Sequence, residues 1–233
     1  MSPAPLTKAS LADAAKFLAR KDRDLALVLA SYGPPPLWAR KPGFDTIVRI
    51  ILEQQVSLAS AASMYKRLRN NITPFEPTRF VQLGEPHFKS LGLTRQKTTY
   101  CMHLAESIMT RNLKLSALSK LSDEEVRKAL MQVKGIGSWS ADIYLLMALR
   151  RPDIWPASDL ALATAVFKLK GLKERPTTDQ LGRIAETWRP FRSVAARMFW
   201  QYYLAQRARL NVDTTSRSLR SRSSLSVSDQ LER

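Results

Sequence analysis

Two short stretches of this chain carry residues whose types and spacing can do chemistry. The first is Arg151-Pro152-Asp153-Ile154-Trp155-Pro156-Ala157-Ser158-Asp159, a Pro-rich loop ending at an acid just before the apolar run from Leu160. Asp159 is a strong helix N-cap, and the positive end of a helix dipole favours its charged form. A carboxylate fixed there can stabilise developing positive charge and can orient or deprotonate a water. Capping alone also explains it, and the two roles are compatible. Asp153 is the competing acid, early in the loop and expected to be solvated. The second stretch, Lys134-Gly135-Ile136-Gly137-Ser138-Trp139-Ser140, joins two helical patterns. Glycine permits positive φ and close approach of an anion to the backbone. The amides of Gly135 and Gly137, with those of Ser138 and Ser140 opening the next helix, are expected to face outward at a positive dipole end. Such a site reads shape and charge rather than sequence. A C-cap glycine before an ordinary turn is the alternative. Trp139 offers a π-face to a flat or cationic ring, or packs in the core.

The surrounding chain must hold these residues in place. With 233 residues and 45% hydrophobic content it can bury a core, as one compact domain or two joined lobes. Lys plus Arg number 37 against 20 Asp plus Glu, a formal charge of +17, which calls for a polyanionic partner. Charge alone does not separate nucleic acid from an anionic membrane. Cys101 is the single cysteine. An internal disulfide framework, a zinc ribbon and a four-cysteine iron–sulfur cluster are therefore excluded. No signal peptide and no bilayer-length apolar run is evident, so an intracellular, non-membrane protein is expected. His87 and His103 lack any pattern suggesting a metal or acid/base role. Arg95 and Lys97 read as phosphate contacts or, more simply, as a solvated charged face. Arg192 is a further candidate for contact with the polyanion.

Apolar residues recur at helical spacing, as in Phe44, Ile47, Val48, Ile51 and Leu52, and the fold is predicted to be all-α. Ser122 with Glu125 and Thr177 with Gln180 are predicted capping boxes. Breaks at Gly33–Pro36, Thr73–Pro77, Gly84–Pro86, Pro152–Pro156 and Gly171–Pro176 divide the chain into about ten helices. Residues 209–233 are Ser/Arg-rich and expected to be a disordered tail.

The segment Leu130 to Ala141 resembles the helix-hairpin-helix of the HhH-GPD DNA glycosylase superfamily, and Asp159 matches the aspartate of that superfamily's Gly/Pro-rich loop. The resemblance implies a two-lobed helical fold with a DNA-binding cleft and hydrolysis of an N-glycosidic bond assisted by Asp159. It implies a monovalent cation, Na+ or K+, on the carbonyls of Met131, Val133 and Ile136, with no other cofactor. Lys134 stands where proline is usual. Members that also cut the backbone carry a Schiff-base lysine at the position of Trp139. An indole cannot form an imine, so base release alone is expected.

Similarity to the 3-methyladenine DNA glycosylase II family extends over about residues 44–203. There Ile51-Leu52-Glu53-Gln54-Gln55-Val56-Ser57 resembles the helix entry supplying the wedge, with Gln55 at the wedge position beside Gln54. Trp200 falls where a second pocket aromatic occurs, and Tyr144 adjoins a third at Ile143. The resemblance implies an alkylated purine rotated out of double-stranded DNA, between Trp139 and Trp200, by a monomeric protein of the bacterial cytoplasm and nucleoid. Residues 1–42 with 157–208 are expected to form one lobe and 43–156 the other. Three alternatives are a non-catalytic DNA-binding hairpin module, a glycosylase with lyase activity on oxidised bases, and an adenine-mismatch glycosylase. The last usually carries a cysteine-ligated cluster.

Overall fold

A computed structural model describes residues 4–209. These are helical throughout, with no strand among them. The helices are α1 (Lys8–Lys21), α2 (Arg23–Tyr32), α3 (Phe44–Glu53), α4 (Leu58–Asn71), α5 (Pro77–Ser90), α6 (Arg95–Met109), α7 (Asp123–Met131), α8 (Ser138–Met147), α9 (Leu160–Leu169) and α10 (Thr178–Ala185). A last helix, α11, runs over 192–209. Apart from Arg209, the expected tail lies outside the described residues.

Local signals set most boundaries. Ser122 and Glu125 bond reciprocally at the start of α7, and Thr177 and Gln180 do the same for α10. The break expected at Gly84–Pro86 is present, though the helices on either side run together as α5. Gly84 is a kink at φ +67° inside α5, and the helix resumes with Pro86, whose fixed φ suits a new first turn.

The apolar patterns explain the packing. In α3 nearly every side is buried, including Ile47, Val48, Ile50, Ile51 and Leu52, because α4, α6 and α8 surround it. In α8 residues 140–146 are all buried. The one acid there, Asp142, is met by Arg127 of α7 at 2.7 Å, which ties the two hairpin helices together. Burial raises the pKa of Asp142, and the guanidinium only partly counters this.

Among the described residues, the N-terminal helices α1 and α2 pack on the segment after α9. Phe17 meets Phe191 edge-on at 5.5 Å. Lys170 reaches Asp22 and Asp24, each at 2.9 Å, and Trp188 Nε1 donates to Asp22 at 2.8 Å. Leu6 N–H donates to Arg150 O at 2.8 Å, so the N-terminal segment lies against the loop that leads to Asp159.

Candidate active site

The loop after α8 is fastened along its length. Arg151 is buried and donates to the carbonyls of Ser119 (3.2 Å) and Leu121 (2.9 Å). Ile154 N–H donates to Ser193 Oγ at 2.8 Å, and Ser193 N–H to Pro152 O at 3.1 Å. Trp155 packs on Trp188 at 5.0 Å. Asp153 is not solvated as expected. It accepts from Arg192 Nε at 2.9 Å and Arg189 Nη1 at 2.6 Å, so its charge anchors the loop to the start of α11. Arg192 also reaches Glu186 at 2.8 Å, and these partners remove it from the candidate DNA contacts.

The loop thereby delivers Asp159 to the N-terminus of α9, 9% exposed. Its Oδ1 accepts from Leu162 N–H at 2.8 Å and from Trp200 Nε1 at 3.2 Å. Its Oδ2 accepts from Trp139 Nε1 at 2.8 Å. An ionised carboxylate offers about four acceptor positions. Three are filled, and the remaining one is on Oδ2. Leu160, the next residue, is an exposed apolar side chain beside the acid.

Trp139 and Trp200, widely separated in sequence, are thus brought to one carboxylate. A third tryptophan joins them that sequence reasoning missed. Trp38 meets Trp200 edge-on at 6.4 Å and is only half-buried. Its φ of +46° is rare for so bulky a residue and has to be held by its surroundings. Arg197 does this: buried in α11, it donates to Leu37 O (3.0 Å), Leu146 O (2.7 Å) and Ser193 O (3.0 Å). The only sequence signal was a tryptophan after three prolines, which names no chemistry. Tyr144 is not brought to the group. It is 1% exposed in the core, where burial pushes its phenol up to about 12, and as placed it offers no face to a ligand.

The hairpin spans α7 to α8. Gly135 has φ +91°, and a Cβ on it would lie 2.1 Å from the Tyr100 ring, so both conformation and space require glycine. Gly137 differs: it is exposed, with φ −92° and no atom within 4 Å of the place a Cβ would take. No side chain caps α8, which leaves its first amides to an outside acceptor. Lys134 and Ser138 are exposed at this end. Ser140 is buried, and its hydroxyl accepts from Gln54 Nε2 at 2.9 Å, so that side chain is engaged inside the protein. His103, which had no expected partner, accepts the Lys134 N–H on Nδ1 at 3.1 Å. Proline at position 134 would have no such N–H to place.

At the end of α3, Gln54 turns inward: Nε2 also donates to Gly135 O at 2.8 Å, which binds this corner to the hairpin. Gln55 turns outward, exposed, at φ +57°. Val56 and Leu58 beside it are exposed apolar side chains. Lys97 is not on a solvated face. It is buried beneath this corner and donates to the carbonyls of Ile51, Leu52 and Gln54, while Arg95 is exposed.

Residues 48–190, more than half of the chain, match the HhH-GPD superfamily of base excision DNA repair proteins. The chain belongs to that family. Among its HhH-GPD relatives, YfjP of Bacillus subtilis (strain 168) is 23% identical over 185 residues, 76% of this chain and 64% of its own length. The alkylbase DNA glycosidase-like protein mag2 of Schizosaccharomyces pombe is 24% identical over 195 residues, 81% of this chain and 92% of mag2. The same organism's 3-methyladenine DNA glycosylase, solved with abasic DNA, superposes with a TM-score of 0.75 at 24% identity. That match covers 81% of this chain and 95% of the solved one, and it establishes the HhH-GPD fold.

Within that HhH-GPD frame the structure groups Asp159, Trp139 and Trp200 with the added Trp38, and sets the hairpin and Gln55 on the exposed rim. Among the described residues no group of His, Cys, Asp or Glu could hold a metal ion, and no helix is long and apolar enough to cross a membrane.

Proposed function

We propose that this chain is a monofunctional DNA glycosylase that releases alkylated purines, of the 3-methyladenine and 7-methylguanine type, from double-stranded DNA, and that it acts as a monomer. The names of its relatives support the substrate class. The hold on Asp159 is the observation that carries the chemistry: one backbone amide and two indole N–H groups fix the carboxylate and leave one acceptor position on Oδ2.

The damaged base rotates against the indole of Trp139, beside Trp200, and Gln55 fills the gap in the stack. A purine methylated at N3 or N7 is cationic and stacks well on an indole face. As the bond from C1′ to the base nitrogen breaks, its electron pair leaves with the base, which becomes neutral. Positive charge grows on the sugar, and Asp159 stabilises it. Water adds to C1′ and passes its proton to the open Oδ2 position, leaving an abasic site. Trp139 supplies no amine, so no imine to the sugar forms.

The amides opening α8, with Lys134, hold backbone phosphate. Na+ or K+ on the carbonyls of Met131, Val133 and Ile136 would brace the turn. Among the described residues the first and last of these accept no backbone donor and Val133 accepts one, from Ile136 N–H at 3.0 Å, so each keeps a lone pair for an ion.

The test is release of methylpurines from methylated DNA, read by chromatography, with borohydride trapping alongside. Release by the wild type, its loss in Asp159→Asn and no trapped adduct are expected. Undiminished release by Asp159→Asn would overturn the assignment, and a trapped adduct would overturn its monofunctional part.

A further inference from the structure

Lys97 lies in the first turn of α6, only 7% exposed, far along the sequence from the residues it touches. Its Nζ donates to Ile51 O at 3.0 Å, Leu52 O at 2.7 Å and Gln54 O at 3.0 Å. An ammonium has three donors, and all three are used on the last turn of one helix. Those carbonyls lie where a helix C-terminus runs out of i+4 donors, Ile51 O also accepting the Gln54 N–H at 3.3 Å, and a cation there meets the negative end of the dipole. A buried charge is costly unless fully hydrogen-bonded, so the ammonium and this shape of the turn require each other.

The residue after this turn makes the contact more than a helix cap. Gln55 adopts φ +57°, a left-handed backbone that a residue with a side chain adopts only when neighbours impose it. On its other side the corner is stitched to the hairpin, through Gln54 Nε2 to Gly135 O and Ser140 Oγ. Backbone and hairpin are thus both fixed, and Gln55 projects beside the exposed apolar side chains of Val56 (38% exposed) and Leu58 (64% exposed).

We propose that Lys97 is a positioning residue for base extrusion: by gripping the end of α3 it holds Gln55 in the orientation that fills the vacated stack. The inference rests on the reading of Gln55 as the wedge. Lys97 touches no reacting atom, so it acts on the flipping step and leaves bond cleavage alone. A wedge matters most when the lesion is paired and stacked, and least when unstacking costs little.

The test compares Lys97→Met, Gln55→Ala and the double variant on two duplexes with the same methylated purine, one paired normally and one opposite an abasic site. Single-turnover rates and thermal midpoints are measured on each. Both single variants are expected to slow excision from the paired duplex by about tenfold or more and to slow the second duplex much less. The double variant is expected to be no slower than the slower single, since both act through one element. Equal loss by Lys97→Met on both duplexes marks a purely structural role and overturns the proposal, as does an unchanged rate on the paired one. If Gln55→Ala spares the paired duplex, the wedge reading fails and takes the proposal with it. Should Lys97→Met not fold, Lys97→Gln, which keeps an amide donor for the same carbonyls, is read against the same outcomes.

Discussion

Trp139 donates its indole N–H to Asp159 Oδ2 at 2.8 Å, so a hairpin residue with no amine to offer orients the carboxylate. One side chain thus serves two functions, a flat face and a fixed donor, and the two are separable. Trp139→Phe keeps the face and removes the donor. Oδ2 then loses its hold, and single-turnover excision is expected to fall by about ten- to a hundredfold with the thermal midpoint little changed. Asp159→Asn keeps a competent N-cap but has one acceptor oxygen for three donors, and it is expected to lose excision almost entirely. If Trp139→Phe excises at the wild-type rate, the indole N–H has no part in catalysis.

The two hairpin glycines are there for different reasons, and alanine separates them. Gly135→Ala forces a side chain to φ +91° and into the Tyr100 ring, so a loss of at least about 2 kcal/mol of stability is expected. Gly137→Ala meets nothing inside the protein and has an ordinary φ. Its stability should stay within about 0.5 kcal/mol of the wild type while affinity for duplex DNA falls, because the methyl group occupies the approach of a phosphate. Denaturation curves and binding titrations check both. Undiminished binding by Gly137→Ala would mean that no phosphate approaches there.

These contrasts mark what the sequence could and could not convey. Helix starts, the hairpin and the Asp159 cap are local, written in residues three or four apart, and they stand where the pattern put them. The misread residues are those whose partners lie far along the chain. Lys97 reaches across 45 residues to Leu52 O, and the Lys134 amide across 31 to His103. A lysine on a helix reads as solvated unless the carbonyls above it are known, and Asp153 reads as solvated until Arg189 and Arg192, at and just before the start of α11, reach it. Trp38 belongs to the same class, because its exposure follows from a backbone that Arg197 sets from the far end of the chain.

Lys134 supplies an exposed charge at the hairpin rim. A lysine contacting phosphate releases a counterion on binding. Lys134→Gln is therefore expected to weaken binding alike on damaged and undamaged duplexes and to reduce the slope of log affinity against log salt by about 1. Titrations over a range of salt test this, and an unchanged slope would place the side chain off the DNA.

The junction between the N-terminal helices and the segment after α9 carries its own pH signature. Burial alone would raise the pKa of Asp22, but the bonds from Trp188 and Lys170 outweigh it and bring the folded value below the ordinary 3.8. A carboxylate depressed on folding contributes stability that is fully present above its unfolded value and is lost as pH falls through the folded one. Asp22→Asn can still cap α2 but loses the charge facing Lys170, so it should be less stable at neutral pH by about 1–3 kcal/mol. Below pH 3.8 the wild type surrenders the same contribution, and the two unfolding curves should converge. A constant gap between them down to the lowest pH at which both fold would show that the Asp22 charge contributes nothing to that junction.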